Sequence, residues 1–201
     1  MSSREYNNML LFNKWDSRKI DVNDLGLQRV ISLSPSVIPV TFGRHEHQRL
    51  RKAEVHLAER LVNKLMRFGK KYAKNTGRMG GKKARIFKTV QVSFDIIHAE
   101  TGKNPIELLV RAIENAAPNE DTTRIVYGGV VYHVSVDVAP MRRVDLALRF
   151  IAEGVREATY SNPRTMEEVL AKEIVLASNN SMESHAIKKK NEQERIAMSS
   201  R

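Results

Sequence analysis

Residues 104–134 read NPIELLVRAIENAAPNEDTTRIVYGGVVYHV, and within this stretch the period of the apolar residues changes from 3.6 to 2. Asn104 stands where a helix N-cap is expected, Pro105 suits the first helical position, and Glu107 sits at capping-box spacing. Ile106, Leu109, Val110 and Ile113 then share one helical face, and Pro118 ends it. Beyond it, two alternating runs flank Gly128-Gly129, the signature of a tight β-hairpin whose two turn residues need positive φ. Pairing Tyr127 with Val130 and Ile125 with Tyr132 puts Ile125, Tyr127, Val130, Tyr132 and Val134 on one face. Arg124, Val126, Val131, His133 and Ser135 then share the other. Two strands alone are marginal in water, so the hairpin must lean on helices or on a partner. With Arg124, Tyr127, Tyr132 and His133 near its tip it suits a nucleic-acid groove or single strand. The competing reading packs both tyrosines on a helix.

Working outward, the flanks are helical. From Gln48, Leu57, Ala58, Leu61, Val62, Leu65 and Phe68 recur at three- and four-residue spacing, and Gly69 is expected to close the helix. Arg60, Lys64, Arg67 and Lys71 fall on another face as a basic stripe. A loop from Lys70 to Lys83 follows, with Gly77, Gly80 and Gly81 among its cations; it lacks the spacing of a nucleotide-binding P-loop and suits a nucleic-acid backbone better. A second helix is expected over 84–100, with Ile86, Val90, Phe94 and Ile97 inward. A further helix runs from Pro140 to about Tyr160, with Arg142, Arg149 and Arg156 on one line and Arg143 beside them. Thr165 caps the next helix, with Glu168 at capping-box spacing. The tail, with Lys188-Lys189-Lys190, has a sparse apolar face and is expected to order only against a partner. Residues 1–48 look irregular. The expected fold is therefore mainly α: a bundle of about six helices with one protruding β-hairpin and an irregular N-terminal extension. The expected divisions are an extension at 1–48, a helical core at 49–182 with the hairpin at 122–137, and a helical tail at 183–201.

Charge points to the partner. Between Thr41 and Val90 fifteen Lys and Arg stand against three acids, a local +12, whereas the whole chain of 201 residues carries +11. A cationic block without interleaved acids is an electrostatic footprint for a polyanion, and phosphates that release counterions to it supply sequence-independent affinity. Apolar residues make up 41% of the chain, enough for a core, so this is not a disordered basic tail. With no cysteine, disulfides, thiolate zinc sites and Cys nucleophiles are excluded. No apolar run approaches a membrane span and no hydrophobic signal region opens the chain, so a soluble intracellular protein is expected.

Five separated motifs carry a resemblance. Gly81-Lys82-Lys83, Thr101-Gly102-Lys103-Asn104-Pro105, Asp121-Thr122-Thr123-Arg124, the run Ser135 to Val144 and the tail from Ala186 to Ala197 resemble, in this order, the small-subunit ribosomal protein seven family. Leu11 to Asp16 and Gly43-Arg44-His45-Glu46-His47 look like its archaeal form. The resemblance implies a cytoplasmic protein of the small ribosomal subunit that is a primary binder of the ribosomal RNA of the head, without a cofactor. It also implies a hairpin reaching toward exit-site transfer RNA and messenger RNA, and a C-terminal helix near small-subunit protein eleven. The implied rRNA contacts are Arg44, Lys64, Arg67, Lys70, Lys71, Lys82, Lys83, Arg85, Arg142, Arg143, Arg149, Lys188, Lys189 and Lys190. The implied exit-site hairpin residues are Arg124, Tyr127, Gly128, Gly129, Tyr132 and His133.

Two other classes compete. An enzyme would need an acid–base set, and His98 with Glu100 or His133 with Asp137 form no nucleophile–base–orienter group; His98 reads as a core or boundary residue. His45, Glu46, His47 and His56 lack a metal-ligand arrangement. An architectural DNA-binding protein with a basic β-arm is the alternative function. The dispersal of cations over helix, loop, hairpin and tail favours an irregular folded RNA over a repeating duplex.

Overall fold

The structure, a computed structural model, describes residues 9–67 and 79–201. It is mainly α, with one two-stranded antiparallel hairpin. The helices are a single turn α1 (Leu25–Gln28), α2 (Leu57–Leu65), α3 (Lys83–Thr101), α4 (Pro105–Ala116), α5 (Pro140–Thr159), α6 (Met166–Ser178) and α7 (His185–Ser199). Strands β1 (Glu120–Tyr127) and β2 (Val130–Asp137) lie between α4 and α5.

The core follows the apolar faces. Leu61, Val62, Val90, Phe94, Ile97, Val110, Ile113, Leu148, Ile151 and Ile174 are fully buried in one cluster. The expected caps form: Asn104 accepts from Ile106 N–H and Thr165 from Glu168 N–H. Glu107 pairs with Arg111 at 2.6 Å. The hairpin adopts the expected register, Tyr127 opposite Val130 and Ile125 opposite Tyr132, around Gly128 and Gly129 at φ 58° and 80°.

Three expectations are corrected. The helix expected from Gln48 begins only at Leu57; residues 44–54 instead form two 3-10 turns, Arg44–His47 and Arg51–Glu54. Leu50, at φ 65°, breaks the chain between them, and His56 starts α2 by accepting from Ala58 N–H. Phe68 and Gly69 lie outside the described residues. Second, the N-terminal segment has little regular structure yet belongs to the core. Phe12 packs edge-on against Phe87 and Phe94, and Leu11, Leu27 and Ile31 are buried beside it.

Third, the tail docks within the chain. Ser184 caps α7, and the buried Glu173 of α6 accepts from Ser184 Oγ at 2.8 Å and from Ala186 N–H at 3.0 Å. Ala186, Ile187 and Ala197 are buried. A sparse apolar face suffices because polar anchors at both ends add to it. The C-terminal end of α7 clamps the root of the hairpin. Ser135 N–H donates to Ser200 O, Glu194 accepts from Asn119 N–H at 2.9 Å, and Arg201 pairs with Glu120.

Candidate nucleic-acid interface

Cations expected on the surface divide into two groups. The first is internal. Arg60, read as part of an exposed stripe, is 2% exposed; it donates to Val30 O at 3.0 Å and lies 3.5 Å from Asp145. Asp145 also receives Lys52 at 2.7 Å and Lys64 at 3.5 Å. Burial would raise the Asp145 carboxyl, but the Lys52 hydrogen bond and the charges of Lys64, Lys52 and Arg60 outweigh it and hold the pKa below the ordinary value. Burial lowers the Arg60 and Lys64 pKa values, with Asp145 opposing.

Lys83 reaches Glu59 at 2.5 Å. Glu59 is 1% exposed and also accepts from Thr41 N–H and Oγ1–H at 3.0 Å each, which ties the 41–47 turn to α2. Arg143 is mostly covered and bonds Asp24 at 2.9 Å. Lys190 donates to Asn115 O at 2.9 Å. These bonds explain charges that the periodicity assigned to the surface. The missed signal lies in the acids. Glu59 is one of three carboxylates among the residues of the cationic block, and it sits on the apolar side of α2.

The second group faces solvent. Arg44, Arg67, Lys82, Arg85, Lys88, Arg124 and Lys188 are exposed and pair with no described carboxylate. Arg142 and Arg149 are exposed but lean on Asp121 at 3.1 Å and Glu153 at 2.9 Å, and Lys189 on Glu192 at 2.6 Å. Such exposed pairs contribute little to stability and open readily to a phosphate. Lys70 and Lys71, with Lys74, Gly77 and Arg78 of the loop, lie outside the described residues.

The hairpin is the other exposed feature. Every residue from 124 to 134 faces solvent, with Tyr127 at 80% and Tyr132 at 52%, so the tyrosines are not packed on a helix. Strands of eight residues span roughly 27 Å at about 3.3 Å per residue, and their root is held by α7. His98 is also exposed rather than at the core boundary. Trp15 packs edge-on against it with centroids 4.9 Å apart, and its Nδ1 lies 3.1 Å from Lys103 O. Among the described residues no group of three His, Asp or Glu is arranged to hold a metal.

A helical body with several exposed, unpaired cations and a solvent-exposed two-stranded arm standing off it has the surface of a nucleic-acid-binding protein. A family model described as "Ribosomal protein S7p/S5e" matches residues 27–201. The chain is 59% identical to "Small ribosomal subunit protein uS7" of Cenarchaeum symbiosum over 197 residues, covering 98% of this chain and 99% of that protein. It is 46% identical over 190 residues to the protein of the same description from Methanothermobacter thermautotrophicus, covering 94% and 98%. The chain belongs to the ribosomal protein S7p/S5e family, in its archaeal form.

Proposed function

We propose that this chain is a primary binder of the small-subunit rRNA that forms the head. Its exposed cations grip an RNA junction, its hairpin reaches exit-site transfer RNA and the messenger path, and α7 lies beside small-subunit protein eleven. The coarser role follows from the family. The protein is a structural constituent of the small ribosomal subunit in the cytoplasm, it binds rRNA, and its role is not catalytic. Membership of a ribosomal family also decides against the architectural DNA-binding alternative. Among the described residues no helix is long and apolar enough to cross a membrane.

In this reading Arg44, Arg67, Lys82, Arg85 and Lys188 meet phosphates directly, and Arg142, Arg149 and Lys189 do so by exchanging a carboxylate partner for one. Lys64, Lys83, Arg143 and Lys190 hold the body in shape and act on RNA only through it. The observation that carries the finer reading is the hairpin, clamped at its root and exposed from 124 to 134. An arm so built reaches a second ligand without being needed for the first. Deleting residues 124–133 and closing the ends with a short turn is expected to leave rRNA affinity and particle assembly intact while weakening exit-site transfer-RNA retention or reading-frame accuracy. Blocked assembly with normal translation by the particles that do form makes the hairpin a structural anchor and overturns the reading.

A further inference from the structure

The 41–47 turn presents a side chain that neither the fold nor the cation surface explains. Phe42 is 83% exposed, which leaves most of an aromatic ring in water, and its backbone is left-handed at φ 50°. A bulky residue in that region is strained and persists only where its surroundings hold it there. The holding group is visible: buried Glu59 bonds both the backbone and the hydroxyl of Thr41, and Thr41 Oγ1 lies 3.2 Å from His45 Nδ1.

Phe42 forms one wall of a groove of about 1060 Å³ between this turn, α2 and α3. Val40, Val55 and Phe87 are among its apolar lining. Of the five Lys and Arg on its lining, Lys52, Arg60 and Lys64 already face Asp145 and Lys83 faces Glu59, which leaves Lys88 and Glu46 as the lining charges without a partner among the described residues. Lys88 is exposed on this lining, and Arg44 is exposed on the turn between lining residues Gly43 and His45. An aromatic face, an apolar floor and a cationic rim are together the recognition elements for an unstacked nucleotide. The base lies on the ring while its phosphates meet the cations. An apolar protein segment would use the floor but would leave Lys88 and Arg44 without anions.

We propose that this groove takes one or two unstacked nucleotides of single-stranded RNA, with Phe42 as the stacking platform and Lys88 and Arg44 on the flanking phosphates. This rests on the rRNA-binding reading above and adds a base-stacking site to it. The test uses the full chain and a transcript of the head-domain rRNA, with filter binding across a salt series.

Phe42→Ala is expected to weaken binding roughly 5- to 100-fold, the equivalent of one stacked base, without changing the salt slope or the melting temperature. Phe42→Tyr should restore affinity. Phe42→Leu keeps apolar bulk but loses the ring, and it should stay weak. Lys88→Gln should instead flatten the salt slope. If Phe42→Ala binds like the parent protein while Lys82→Gln and Arg85→Gln weaken binding, the groove proposal fails and the rRNA-binding reading stands. If Phe42→Leu binds as well as the parent, the groove is an apolar contact and stacking is refuted. If the parent chain itself shows no salt-dependent preference for the transcript over duplex DNA, the broader reading fails first.

Discussion

His56 joins the start of a helix to a pH dependence. Its Nδ1 accepts from Ala58 N–H at 3.1 Å, so the imidazole serves as an N-cap, and its buried Nε2 has no partner among the described residues. Burial pushes its pKa from 6.5 to about 4, with the nearby Glu59 opposing. The folded pKa lies below the unfolded one, so the unfolded chain takes up a proton that the native state refuses. Stability is therefore full above about pH 6.5 and declines as pH falls toward 4, by about 3 kcal/mol in all. Asp121 and Asp145 are lowered from 3.8; their contributions begin to fall only below about pH 5 and are lost mostly below 3.8, so they add little at pH 4.5. Urea unfolding at pH 7 and pH 4.5 should show the parent losing about 2–3 kcal/mol. His56→Asn keeps a short side-chain acceptor at the cap and removes the titration, so its loss should be much smaller. An equal loss in both proteins assigns the slope to another group.

Among elements, α7 shows where a reading from the apolar pattern runs out. The helices α3, α4, α5 and α6 were legible because each buries a continuous stripe and carries a cap or a stop in its own sequence. The hairpin was legible because Gly128 and Gly129 fix the register locally. The docking of α7 was not, since it depends on Glu173 one helix earlier and on Gly154 in α5. The start of α2 was missed for a related reason: the basic residues 48–56 are compatible with a helix, and what replaces it is a backbone break at Leu50, φ 65°, beyond a 41–47 turn held by the tertiary bonds of Thr41 to Glu59. Gly154 makes the docking of α7 testable. A Cβ there would meet His185 Cβ at 2.7 Å and Glu173 Oε1 at 3.3 Å, at the base of α7 rather than at the end of a flexible side chain. Gly154→Ala should therefore push α7 off α5 and cost about 1–3 kcal/mol, as overpacking does. Hydrogen exchange would show it as lost protection in 185–199 with protection in α3 and α4 retained. Unchanged exchange in α7 would mean that the two helices accommodate the methyl group.

For the whole molecule, the sign and location of the charge were readable, but its division was not. Periodicity says which face a cation is on only if every charged residue is turned outward, and Glu59, Asp145 and Asp24 draw Lys83, Arg60 and Arg143 inward. Of the neighbours Lys82, Lys83 and Arg85, two face solvent and one is fastened to a buried carboxylate. They should therefore behave differently. Removing a cation that neutralises one phosphate reduces the slope of log affinity against log salt by about 0.9 on duplex values. Lys82→Gln combined with Arg85→Gln should flatten the slope for head-domain rRNA by roughly 1.5–2 and leave the melting temperature unchanged. Lys83→Gln should do the reverse. It leaves Glu59 buried without its counter-charge, which costs about 3 kcal/mol for a broken buried pair, and changes the salt slope little at temperatures where the protein stays folded. Calorimetry and a salt titration on both variants separate the two roles. A flattened slope with unchanged stability in Lys83→Gln would mean that this lysine leaves Glu59 for a phosphate when RNA binds.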